Sequence, residues 1–317
     1  MNTNPSLNQP GSALRADPSS QANSSNKRAL VLAGAGSSGN AWEIGLIAGL
    51  FHGGLDVTGA DLIIGTSAGS TVAAQITSGT PLTELYAPIL EEAPHPQAGS
   101  AESRRRPVPN IPAPNYMDWS NGIIASAADA SDMRRRMGAA ALEMDTSNGA
   151  NGERWRSVVA NRLPNQHWPA QAVLITAVNA RTGEPVVFDS SSGIDLVDAV
   201  AASTSSMAPY SIGEDRYING GYRRSENADL AAGYGRVLVL SPFGGRTRMP
   251  LEWGMDLAAQ VDELQAGGSV VETVFPDSDA EHMFGANAMD PTLRPPAARA
   301  GYEQGKAIAG RLSAFWG

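Results

Sequence analysis

The chain has 317 residues, 42% of them apolar and 17% charged, with a formal charge of −9 and no cysteine. This composition supports one or two packed domains and excludes wholesale disorder, and the negative charge argues against a protein that coats nucleic acid. The missing cysteines remove disulfides, thiolate nucleophiles and cysteine-ligated zinc.

Residues 1–27 read as a disordered polar tail, with Asn, Gln, Ser and Pro where a signal peptide would carry apolar residues. A protein made in the cytoplasm is the default expectation, although export by a route that reads a polar tail would look the same. No stretch approaches the roughly 18 consecutive apolar residues of a membrane-spanning helix. Folding is expected from residue 28 onward. Arg28–Ala33 has the composition of a buried parallel strand, Gly34–Gly39 of a tight turn, and Ala41–Phe51 of a mostly apolar helix stopped by Gly53-Gly54. Ala60–Ile64 reads as a second strand and Ala68–Ser78 as the helix leaving it.

A different composition follows. Pro94–Pro114 holds six prolines and the run Arg104-Arg105-Arg106, and Ile123–Met144 reads as one alanine-rich helix containing Arg134-Arg135-Arg136. Residues 103–162 carry a net charge of +3 inside an acidic chain. Residues 93–165 are therefore expected to form a variable insertion or lid, either solvated or facing anionic head groups. Strand and helix patterns then alternate again. Strands are expected at Ala172–Val178, Pro185–Phe188, Arg216–Ile218, Arg236–Leu240 and Val270–Phe275, and helices at Asp195–Ala202, Gly254–Gln265 and Pro296–Phe315. That order predicts an open, mostly parallel sheet covered by helices on both faces.

The strongest local signal is Gly65-Thr66-Ser67-Ala68-Gly69, between an apolar strand and a helix of small residues. A nucleophile elbow needs this context: small neighbours permit the sharp turn, and N–H groups at a helix start face the hydroxyl. Gly34-Ala35-Gly36-Ser37-Ser38-Gly39 admits two readings. One is a dinucleotide-binding loop, which wants an acidic residue after the second strand. The other is an oxyanion hole of backbone N–H donors, which the serine motif after the adjacent strand favours. Of the histidines that follow Ser67, only His282 tempts as a triad base, and too few strands precede the serine for that topology. Trp119, Ile123, Ile124, Met133 and Met137 could line an acyl pocket or be ordinary core. No His or carboxylate cluster has metal-ligand spacing, so no metal or cofactor is expected.

The glycine loop, the Ser67 motif and the downstream Asn219-Gly220-Gly221, taken in order, resemble the patatin-like phospholipase family. Ala199–Ser203 followed by Pro209 resembles a further stretch of the family, and Tyr222–Asp229 resembles the sequence that follows the aspartate-glycine-glycine motif in its bacterial members. The resemblance implies a three-layer α/β/α fold with a mostly parallel sheet, and a lipid acyl hydrolase of the phospholipase A or carboxylesterase type. It implies a Ser–Asp dyad, with Ser67 as nucleophile and Gly34, Ala35, Gly36 and Ala68 lining the oxyanion hole. Gly39, Gly65, Gly69, Gly220 and Gly221 are the supporting motif glycines. The implied partner is a lipid or acyl ester, with peripheral membrane contact through Arg104–Arg106 and Arg134–Arg136, and no nucleic acid.

Two departures stand out. The family loop commonly has a third glycine and a basic residue where this chain has Ala35 and Ser38. More seriously, Asn219 occupies the position of the family's aspartate. An amide oxygen can accept a hydrogen bond from the serine but cannot take its proton near neutral pH. The expectation is an assembled but impaired hydrolase, with a dead lipid-binding or regulatory pseudoenzyme as the alternative. Asp215 and Asp229 are nearby candidates for a substitute base. The Asn219-Gly220 pair would also regenerate aspartate by deamidation if its backbone were flexible.

Overall fold

The computed structural model describes residues 26–92, 113–145 and 150–317. Most of the expected polar tail and the Arg104–Arg106 run lie outside these residues. Eight strands form one sheet: β1 (Arg28–Leu32), β2 (Leu62–Gly65), β3 (Ala172–Asn179), β4 (Pro185–Phe188), β5 (Tyr210–Ile212), β6 (Asp215–Asn219), β7 (Arg236–Leu240) and β8 (Val270–Val274). Their order is β5-β6-β3-β2-β1-β7-β8, with β4 paired to β3. The pairs β1–β2, β2–β3, β1–β7 and β7–β8 are parallel, while β4, β5 and β6 join antiparallel.

Alternation along the strands explains the layers. Leu30 and Leu32 of β1 face one core with Ile63, Val173, Leu238 and Leu240, whereas Ala29 and Val31 face the other with Leu62, Ile64, Val237 and Val239. Helices α1 (Gly36–His52), α2 (Ala68–Ile76), α7 (Leu196–Thr204) and α9 (Arg294–Trp316) contribute to the first core. Helix α8 (Leu257–Ala266) covers the second through Leu257 and Leu264. Both faces of the sheet's centre are thus buried, which is why β1, β2 and β7 read as continuous apolar runs. The three-layer α/β/α fold with a mostly parallel sheet is as the family resemblance implied.

Helix α1 is buried nearly all round because α9 lies directly against it. Their contact is made by glycines. A Cβ on Gly45 would stand 2.1 Å from Ala298 O, one on Gly49 2.1 Å from Tyr302 O, one on Gly301 2.3 Å from Trp42 O, and one on Gly305 2.3 Å from Leu46 O. Trp42 Nε1 also donates to Gln304 Oε1 at 3.2 Å.

The sequence reading differs from the structure in several elements. Helix α1 begins at Gly36, inside the expected turn. Helices α3 (Leu82–Glu91) and α6 (Ala150–Ala160), and strand β5, were not expected. The single helix over Ile123–Met144 is two, α4 (Ala113–Ser126) and α5 (Ala130–Met144), because Asp129 Oδ1 accepts from Asp132 N–H at 2.7 Å and starts a new helix. Among the described residues, no helix is long and apolar enough to cross a membrane.

Candidate active site

The ends of β1 and β2 place two loops side by side. In the first, a Cβ on Gly34 would come within 2.9 Å of Ser67 Cβ, so only glycine lets the loop approach the serine this closely. Gly36 has φ +64° and sits under Ala288 and Met289. The Ser38 hydroxyl contacts Met283 O at 2.8 Å and Ala288 O at 3.0 Å, which staples the loop to the segment before α9. Gly39 leaves room for Ala35 Cβ. Among the described residues, no protein acceptor takes the N–H groups of Gly34, Ala35, Gly36 or Ala68.

Ser67 sits at the turn from β2 to α2 with φ 52° and ψ −119°. An L-residue adopts that conformation only when its surroundings impose it. Here a Cβ on Gly65 would stand 2.6 Å from Ser70 Cα, and one on Gly69 2.2 Å from Leu32 O. The Ser67 N–H donates to the buried Ser203 Oγ at 2.8 Å, and the Ser70 hydroxyl donates to Ser67 O at 2.5 Å. Ser203 closes the Ala199–Ser203 block at the end of α7, and its hydroxyl is the signal in that block that points to the Ser67 turn.

At the end of β6, Asn219 reaches Ser67 from across the sheet. Asn219 Nδ2 donates to Ser67 Oγ at 2.9 Å, while Asn219 Oδ1 accepts from Gly221 N–H at 2.9 Å. The Gly221 donor fixes which end of the amide is oxygen. This reverses the hydrogen bond expected from the sequence: the amide offers the serine a donor, and its oxygen is already engaged. Gly220 packs so tightly on Thr176 that a Cβ would stand 2.2 Å from Thr176 Oγ1. With its side chain held at both ends and its backbone packed, Asn219 lacks the freedom that cyclisation onto Gly220 needs, so rapid deamidation is not supported.

Neither substitute base is free to act. Asp229 is ion-paired with Arg223 at 2.5 Å, with Arg224 Nη1 at 3.7 Å. Asp215 is exposed at the start of β6, about 13 Å from Asn219 along an extended strand. His282 points its Nδ1 at Asp279 O, 2.8 Å away, and is exposed. The Arg134–Arg136 run is also engaged: Arg135 and Arg136 pair with Asp132 at 3.2 and 2.7 Å, and Arg134 Nε donates to Gly183 O at 2.9 Å. Asp132 offsets one charge of the run, and the Arg135 and Arg136 side chains stay at least half exposed. Met133 and Met137 are fully buried and join Ile124, Val178, Ile218 and Tyr222 in a core cluster that flanks the Asn219 turn. Tyr116 and Tyr222 hydroxyls, 2.5 Å apart, tie α4 to that turn. Among the described residues there is no cluster of three metal-binding side chains.

Behind the site lies Glu226. Ser241 Oγ donates to its Oε1 at 2.9 Å and Gln260 Nε2 lies 3.4 Å from Oε2. Burial outweighs these bonds and pushes its pKa to about 7. Burial likewise raises Glu43 in α1, against a weaker pull from the Ala33 backbone. A carboxyl raised in the folded state stabilises the fold fully below its unfolded value, and that stabilisation is lost as pH rises through the folded value. For Glu226 the window runs from the ordinary carboxylate range up to about 7, at about 1.4 kcal/mol per pH unit. The protein is expected to melt lower at pH 8 than at pH 5.5. Glu226→Gln should narrow that gap, and equal gaps in the two proteins would refute the assignment.

A family model described as patatin-like phospholipase matches residues 30–232. No curated protein sequence matches the chain significantly. Among solved structures, VipD from Legionella pneumophila superposes with a TM-score of 0.40 at 14% identity, over 90% of this chain and 67% of that one. The type III effector protein ExoU superposes with a TM-score of 0.39 at 16% identity, over 90% of this chain and 53% of that one.

Proposed function

Because the chain belongs to the patatin-like phospholipase family, we propose that it is a lipid acyl hydrolase whose base is replaced by Asn219. The observation that carries this reading is the 2.9 Å contact between Ser67 Oγ and Asn219 Nδ2. In this scheme Ser67 Oγ attacks an ester carbonyl carbon, and charge gathers on the carbonyl oxygen. The N–H groups of Gly34, Ala35, Gly36 and Ala68 are the donors that would hold this oxyanion. The alcohol then leaves, and water releases the fatty acid from Ser67.

The weak step is removal of the serine proton. An amide N–H aimed at Oγ repels that proton instead of accepting it, so it must pass to water. Loss of a positioned base costs about 10²–10⁴ in rate. The same observation favours a second reading, a lipid-binding pseudoenzyme in which the assembled site captures lipid without turnover. Under either reading the ligand is a lipid, and Arg104–Arg106 is the run proposed to meet a membrane surface from the cytoplasmic side.

Hydrolysis of p-nitrophenyl octanoate and of phospholipid vesicles by this protein and by Ser67→Ala tests the reading. Slow turnover that Ser67→Ala removes supports the impaired hydrolase. Vesicle binding with no difference in turnover between the two proteins supports the pseudoenzyme.

A further inference from the structure

Ser67 is not alone in its strained backbone. Among the described residues only one other non-glycine residue has positive φ: Asn227, at φ 60° and ψ 32°. Asparagine tolerates this conformation better than most residues. Asn227 is also fully buried, and every polar atom of its side chain is engaged. Its Oδ1 accepts from Arg223 Nη1 at 2.7 Å, and Arg223 is in turn held by Asp229. Its Nδ2 lies 2.8 Å from Arg224 O, 2.9 Å from Thr66 Oγ1, 3.2 Å from Thr176 Oγ1 and 3.3 Å from Gly220 O. Two hydrogens cannot serve four acceptors equally, so Arg224 O and Thr66 Oγ1 take the strongest bonds and the others share.

Three of these partners lie at the two reacting positions. Thr66 precedes Ser67, Gly220 follows Asn219, and Thr176 of β3 lies between the two strand ends. Gly220 itself has no room for a side chain against Thr176. One amide group therefore spans the end of β2, the middle of β3 and the end of β6. We propose that Asn227 is the positioning residue that sets the separation between Ser67 Oγ and the side chain at 219. The proposal rests on the hydrolase reading for its kinetic consequence, and on geometry alone for its structural one. Misplacement of reacting groups by about 1 Å can cost 10²-fold in rate.

The test uses two backgrounds. In Asn219→Asp, the further changes Asn227→Gly and Asn227→Asp both keep a residue that tolerates positive φ, and the second also keeps the acceptor for Arg223. Both remove the Nδ2 hydrogens. Each is expected to lower kcat about 10-fold or more while KM stays within about twofold. In the chain without Asn219→Asp, the side-chain amide signals of Asn219 in ¹H–¹⁵N spectra report its contact with Ser67 directly. Asn227→Gly is expected to shift them toward the positions they take in Ser67→Ala. A folded Asn227→Gly protein whose Asn219 signals stay where they were would overturn the proposal. So would unchanged kcat in both double variants, whatever happens to their melting temperatures. If Asn219→Asp itself is inactive, the hydrolase reading fails, and the spectra still decide whether Asn227 positions the site.

Discussion

Asn219→Asp should raise hydrolysis of an activated ester by about 10²–10⁴-fold, the usual contribution of a positioned general base. The site is ready for the change. Asn219 Oδ1 already accepts from Gly221 N–H, and the other terminal atom lies 2.9 Å from Ser67 Oγ. A carboxylate is nearly the same shape, so its second oxygen would take the place of Nδ2 and meet the serine proton at hydrogen-bond distance. Nothing else in the turn needs to move, since Gly220 stays packed on Thr176. The gain should appear in kcat more than in KM, because the base acts in the transition state and does not hold the ground-state ester. Adding Ser67→Ala to the aspartate variant should abolish the gain. If the aspartate variant is as inactive as Ser67→Ala while vesicles still bind, the site has lost more than its base, and the pseudoenzyme is the better account.

The largest expected loss of stability is at the α1–α9 contact. In Gly301→Val the new Cβ would stand 2.3 Å from Trp42 O and 2.9 Å from Leu46 N, and both of these are backbone atoms of a buried helix. Backbone cannot turn aside as a side chain can, so the helices must separate. Overpacking typically costs 1–3 kcal/mol and occasionally more, and this case should reach about 3 kcal/mol or more. Gly310, one helix face away, has no heavy atom within 4 Å of its Cβ position. Gly310→Ala should therefore gain about 0.8–1 kcal/mol from helix propensity alone. Urea denaturation of the two variants separates the effects, and similar midpoints would show that the glycine contact is not tight. Because α1 also carries the Gly34–Gly36 loop at its start, Gly301→Val should weaken whatever the loop binds.

Much of the architecture is legible in the sequence. The apolar runs at β1, β2 and β7 announce buried parallel strands because strands covered on both faces need no polar positions. The Gly65–Gly69 pentapeptide announces a sharp turn because only small residues clear Ser70 and Leu32 around it. The break between α4 and α5 was visible in principle in Asp129, a good N-cap inside an alanine-rich stretch, but helix propensity on both sides masked it. Short strands such as β5 carry too few residues to show a period.

By itself, the sequence determined the α/β alternation, the family blocks and the presence of an amide where a carboxylate is expected, since each is written in consecutive residues. Only the tertiary structure decided which end of that amide faces Ser67, because the choice rests on a single N–H at Gly221 and a hydroxyl 152 positions away. It likewise decided that Arg134–Arg136 and Asp229 are engaged, and that Gly45, Gly49, Gly301 and Gly305 form one contact. Local patterns follow from the chain's own periodicity. The partner of a polar or missing side chain depends on segments that meet only after the sheet has closed around them.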